Sequence, residues 1–125
     1  MWSRFRPALS AIVVITTVGS EEEANSLARE LVGRRHAACV NVLPIRRSVY
    51  RWQGKLCEDR EFMLLIKSVE DEYPAIQAVI QELHSYELPE ILSFSVRAGE
   101  QKFLSWLAES VQKDRTPARG ADDED

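Results

Sequence analysis

Seven consecutive residues, His84-Ser85-Tyr86-Glu87-Leu88-Pro89-Glu90, put an imidazole, a phenol and two carboxylates on one short stretch stiffened by Pro89. Imidazole nitrogen and carboxylate oxygen suit a borderline divalent ion such as copper or zinc. His84, Glu87 and Glu90 are therefore the candidate metal ligands. They lack a fixed ligand spacing, so a full coordination sphere would need groups from elsewhere, including a second copy of the chain. The competing account is structural. In it His84 stabilises the end of a helix, Tyr86 packs, and both glutamates are solvated.

Other chemistries find less support. Neither His36 nor His84 sits beside a Ser or Cys in nucleophile context, so no hydrolase triad is expected. The chain has no G-x-G-x-x-G or G-x-x-x-x-G-K stretch, and no organic cofactor is expected. Arg46, Arg47, Arg51, Lys55, Arg60 and Lys67 make the middle of the chain basic. A solvated strand face accounts for them, though the same arrangement could receive a small anion in a cleft between subunits.

The elements that carry these residues are legible from periodicity. Ala11 to Val18 is β-branched and apolar, a buried first strand. Ser20 with Glu23 three residues on is a capping-box pattern, and Ala24, Leu27, Ala28 and Leu31 follow at one-face helical spacing. From Ala38 the pattern turns to strand, with Pro44 marking an edge or a bulge. Gln53-Gly54-Lys55 reads as a hairpin turn between Ser48–Trp52 and Leu56–Lys67. Glu70, Asp71, Glu72 and Pro74 open a second helix that ends near His84. A fourth strand is predicted over Ile91–Ala98, alternating Leu92, Phe94 and Val96 with polar residues. After Gly99 comes a helix with Phe103, Leu104, Leu107 and Val111.

The order β-α-β-β-α-β plus a last helix predicts an α+β, ferredoxin-like domain over residues 11–112, with an antiparallel sheet and both main helices on one face. Residues 1–10 form an N-terminal extension, and 113–125 an acidic tail predicted to be disordered. Middle strands this long expose edges and apolar side chains, which predicts association between copies through the sheet.

Composition sets the remaining bounds. The 125 residues are 45% hydrophobic and 29% charged, as in an ordinary single globular domain. Of the formal charge of −4, most lies in the tail from Asp114, which holds five acids and two bases. A near-neutral body argues against a nucleic-acid partner. No apolar run reaches the roughly 20 residues of a membrane span, and Arg4 and Arg6 before the first strand lack a signal-peptide cleavage site. Cys39 and Cys57 form no C-x-x-C pair and read as reduced thiols, so a cytoplasmic location is expected.

Five blocks in order, A-A-C-V-N (37–41), Y-R-W-Q-G-K-L (50–56), L-L-I-K (64–67), H-S-Y-E-L-P-E-I (84–91) and F-L-S-W-L (103–107), resemble the CutA divalent-cation tolerance family from about Ile12 to Ser110. The resemblance implies a ferredoxin-like protomer in a tight homotrimer, similar in architecture to PII signalling trimers, with a role in tolerance of copper and other divalent metals. Its His-Pro-Tyr-Glu block falls on His84, Tyr86 and Glu87 with Ser85 in place of the proline, and its Pro-Glu on Pro89 and Glu90. It implies an intersubunit cleft to which Trp52 and Lys67 also contribute. Copper-binding members can carry a cysteine where this chain has Thr16 and a histidine where it has Leu83, so His84 plus oxygens would favour Zn(II), Cu(II) or Mn(II) over Cu(I). The expected function is a non-catalytic, trimeric divalent-metal binder. The rival is a PII-like sensor that takes a small anionic effector through Lys67 and nearby Arg side chains.

Overall fold

The β-branched run from Ala11 forms the first strand, β1 (Ala11–Val18), of a computed structural model that describes residues 10–113. Expectations for the first nine residues and for the tail beyond Lys113 lie outside the described residues. Ser20 then caps α1 (Glu21–Gly33), its Oγ accepting the Glu23 N–H at 3.1 Å. Strands β2 (Cys39–Trp52) and β3 (Lys55–Val69) make one long hairpin, turned by Gln53 and Gly54, both at positive φ. A 3₁₀ turn over Glu70–Glu72 leads into α2 (Tyr73–Leu83), with Pro74 in its first turn. The last elements are β4 (Leu92–Ser95) and α3 (Gln101–Ser110).

The sheet runs β2-β3-β1-β4 with every neighbouring pair antiparallel, the ferredoxin-like order. On β1 and β3 the even positions face α1 and α2. Ile12, Val14 and Val18 join Leu64 and Ile66 there, packed against Leu27, Leu31, Ile76 and Ile80. Helix α3 packs on the opposite face, where Leu107 and Val111 meet Ala11 and Val69 at one end of the sheet. Most of that second face carries no helix. Leu92 and Phe94 of β4 lie on it, half exposed at 50% and 52%.

Two details depart from the sequence pattern. The fourth strand is four residues long, not eight: Val96 still donates to the Ala11 carbonyl, after which the backbone leaves the ladder for α3. Phe103, expected on the buried side of α3, is 45% exposed beside Trp106, because Leu104, Leu107 and Ala108 already fill the stripe that faces the sheet.

A side-chain clasp holds Lys113, the last of the described residues. Glu72 accepts from His36 Nδ1 at 3.0 Å and from Lys113 Nζ at 2.6 Å, and Lys113 also donates to the Arg35 carbonyl.

Candidate functional site

A bulge in β2 shapes the site. Between Ile45 and Ser48 the register gains one residue on β2, since Ile45 pairs with Glu61 and Ser48 with Asp59. One extra residue reverses the alternation. Before the bulge, odd positions of β2 share the helix-free face with Glu61 and Met63; beyond it, Ser48, Tyr50 and Trp52 do. Pro44 lies two residues before the bulged pair, on the edge strand of the sheet.

The loop after α2 closes over this face. His84 leaves the helix in an extended conformation, φ −78° and ψ 140°, and its side chain is fully buried. Its Nε2 lies 2.7 Å from the Thr17 carbonyl, and its Nδ1 lies 3.0 Å from the Tyr86 backbone nitrogen. A carbonyl only accepts and an amide N–H only donates, so the ring is neutral with the proton on Nε2. The Tyr86 ring packs against this imidazole at 4.7 Å between centroids. Glu23 of α1 steadies the loop from outside, accepting the Ser85 N–H at 2.9 Å and the Ser85 hydroxyl at 3.0 Å. Gly19 leaves room for the phenol: a Cβ there would stand 3.3 Å from the Tyr86 hydroxyl oxygen.

Tyr86 donates its hydroxyl to Oε2 of Glu61 at 2.7 Å. Burial first, then this bond to a carboxylate, pushes the phenol well above the ordinary tyrosine range. Nearby, Tyr50 donates to Asp59, and that bond is the main cause that raises the Tyr50 phenol to about 12.

Together these residues enclose an open cavity of about 620 Å³. Its walls carry three carboxylates (Glu61, Glu87, Glu90) and three aromatic rings (Tyr50, Trp52, Tyr86). Among the described residues no Lys, Arg or His lines it.

Four of the residues singled out in the sequence therefore meet: Trp52, Tyr86, Glu87 and Glu90. Two do not. The ring of His84, expected as the nitrogen ligand, sits behind the cavity with both nitrogens engaged, so ligation would require breaking a bond to Thr17 or to Tyr86. Lys67 pairs with Val13 and Cys39. It stands six residues along β3 from Glu61, roughly 20 Å away. Among the described residues of one protomer no group of three or more His, Cys, Asp or Glu could hold a metal ion. Thr16 is wholly buried on the helix side. Glu61 and Tyr50 escaped the sequence reading. The usable signal was period-2 alternation, which puts a carboxylate at 61 on the face of Met63 and Leu65.

The CutA1 divalent ion tolerance protein model matches residues 12–110. The chain belongs to that family. It is 43% identical over 99 residues to the divalent-cation tolerance protein CutA of Thermus thermophilus, covering 79% of this chain and 96% of that one. With the CutA of Yersinia pestis it shares 42% over 102 residues, 82% of this chain and 86% of the relative. Among solved structures, CutA1 of Oryza sativa superposes with a TM-score of 0.81 at 34% identity, covering 87% of this chain and all of that one. A protein described as the periplasmic divalent cation tolerance protein CutA of Archaeoglobus fulgidus gives 0.79 at 31%, covering 82% and 99%. The CutA1 match spans every element from β1 to α3, and with them all the cavity residues. Among the described residues no helix is long and apolar enough to cross a membrane.

Proposed function

We propose that this CutA1 family member is a non-catalytic homotrimer that binds divalent cations in the cleft beside the 84–90 loop and so serves cation tolerance. The observation that carries the reading is the cavity itself, whose walls hold Glu61, Glu87 and Glu90 and no basic side chain among the described residues. Glu87 and Glu90 are the ligating carboxylates in this account, the rest of the coordination sphere coming from a second copy, and Glu61 holds Tyr86 beside them. His84 supports the loop as a positioning residue. Oxygen donors of this kind favour harder divalent ions such as Mn(II) and accept Zn(II) and Cu(II).

Association supplies what one protomer lacks. The helix-free face exposes Leu43, Leu92 and Phe94, and the arm beyond the bulge exposes Val49, Tyr50, Trp52 and Leu56, an apolar surface suited to a second copy. The trimeric order is the one the family resemblance implies. Both cysteines are free thiols, which fits a reducing cytoplasm as the working compartment.

Calorimetric titration with Mn(II), Zn(II) and Cu(II) tests the binding claim. Saturable heat in the wild type that disappears in a Glu87→Gln/Glu90→Gln variant is expected. Absence of metal heat in the wild type defeats the proposal, and heat from small anions alone would favour the effector-sensor reading. Light scattering should report a trimer at micromolar concentration, and Phe94→Asp should dissociate it.

A further inference from the structure

We propose that Glu23, on the first turn of α1, is a positioning residue of the cation site: its carboxylate clamps Ser85 and so sets where the 84–90 loop holds Glu87 and Glu90. The inference rests on the reading of those two glutamates as cation ligands, and it assigns their placement to a residue on a different element.

The sequence pattern points Glu23 elsewhere. In a capping box the glutamate side chain turns back to the N–H of the capping serine. Half of that box is present, since Ser20 Oγ accepts the Glu23 N–H at 3.1 Å. The carboxylate is turned to the loop instead. Its Oε2 accepts the Ser85 N–H at 2.9 Å, and its Oε1 accepts the Ser85 hydroxyl at 3.0 Å. Two charge-assisted bonds from one residue to both oxygens of another fix orientation as well as distance. The Glu23 side chain is only 20% exposed, so water competes weakly for these bonds.

The place of the clamp in the loop gives it leverage. His84 is tied to β1 through the Thr17 carbonyl, and Tyr86 to β3 through Glu61. Ser85, between them, is tied to α1. Glu87 follows two residues later, within about 7 Å of chain. Over so short a span, slack at Ser85 passes to the Glu87 carboxylate almost undiminished. Ligating oxygens must stand within about 0.5 Å of their working positions, and a helical turn is a firmer post for them than a loop.

Association between copies leaves this clamp as it is. Its bonds lie within one protomer, and α1 packs on the face of the sheet opposite the one offered to a second copy.

Calorimetric titration with Mn(II) of the wild type, Glu23→Ala, Glu23→Gln and Ser85→Ala tests the proposal, with a thermal melt and light scattering to verify that each variant folds and assembles. Glutamine keeps the clamp without the charge, because its carbonyl accepts the Ser85 N–H and its amide donates to the Ser85 hydroxyl oxygen. Binding should weaken about tenfold in Glu23→Ala and stay within about threefold of the wild type in Glu23→Gln, with the number of sites unchanged. Ser85→Ala, which retains the backbone donor, should lose about threefold, and adding it to Glu23→Ala should cost nothing more. Wild-type affinity in Glu23→Ala overturns the proposal. Equal losses in the alanine and glutamine variants also overturn it, since they trace the effect to charge. Hydrogen exchange of the metal-free protein is the second measurement: the Ser85 and Tyr86 amides should exchange about tenfold faster in Glu23→Ala. If the wild type binds no divalent ion, the cation reading falls, and exchange alone then judges whether Glu23 holds the loop. Unchanged exchange sinks that claim as well.

Discussion

The hydroxyl of Tyr86 and the carboxylate of Glu61, 25 residues apart in sequence, meet at 2.7 Å and join the loop after α2 to the middle of β3. This bond fixes one wall of the cavity. It also makes the protonated phenol part of the folded state, as the Tyr50–Asp59 pair does on the arm.

Stability should fall in alkali for that reason. Both phenols are raised above the ordinary value of 10.0 in the folded chain, Tyr50 to about 12 and Tyr86 further. Below pH 10 folded and unfolded chains both hold these protons, and the contribution is intact. As pH rises past 10 the unfolded chain releases them first, so folding loses free energy until the folded phenols ionise. Melting temperatures measured across this range should drop, and Tyr86→Phe should drop less. Near-ultraviolet absorbance should show two tyrosines ionising late.

His84 is expected to be structural before it is anything else. Removing its ring in His84→Ala strands the Thr17 carbonyl and the Tyr86 N–H and opens a buried cavity, a loss of about 2–4 kcal/mol in a denaturant melt. Nitrogen-15 spectra of the metal-free protein should report the Nε2–H form. Retention of that pattern on addition of Zn(II) would mean that the ion binds to the carboxylates alone.

Thr16 offers a stabilising change. Its Oγ1 is buried with no hydrogen-bond partner among the described residues, and the residue is fully enclosed. Thr16→Val keeps the shape and removes a stranded hydroxyl, so stability should rise by about 1–2 kcal/mol. For a domain of this size that is roughly 4–16 °C in Tm. A lower Tm would mean that the hydroxyl is satisfied in solution.

The hairpin turn tolerates little. Gln53 at φ 50° and Gly54 at φ 80° give a two-residue turn that matches the twist of the arm. Gly54→Ala should cost about 1–2 kcal/mol, and Gln53→Asn should stabilise by a few tenths. Denaturant melts of the two variants should move in opposite directions.

The order of elements was readable because local signals agree with the fold: Ser20 caps α1, Gly54 turns the hairpin and Pro44 precedes a bulge. The site was half readable. Tyr86, Glu87 and Glu90 sit together in sequence, so their proximity is local. Glu61 joins them through strand pairing, signalled only by its alternation with Met63, whereas Tyr50 and Trp52 turn to the same face past a bulge in β2 that no spacing rule encodes. His84 misled because an imidazole a few residues ahead of two glutamates looks like a ligand. Its burial depends on a carbonyl of β1, 67 residues away in sequence. The fourth strand came out short because its alternating pattern continues past the last residue that β1 can pair.

The clasp of Glu72 on His36 and Lys113 sits at the end of the sheet where Ala11 pairs with Val69, whereas Thr17 marks the cavity end. Six residues of strand separate the two ends, roughly 20 Å. A dye, affinity handle or solid support attached after Lys113 would thus be held at the far pole of the protomer. Immobilised in that orientation, the protein would turn its acidic mouth toward the solution.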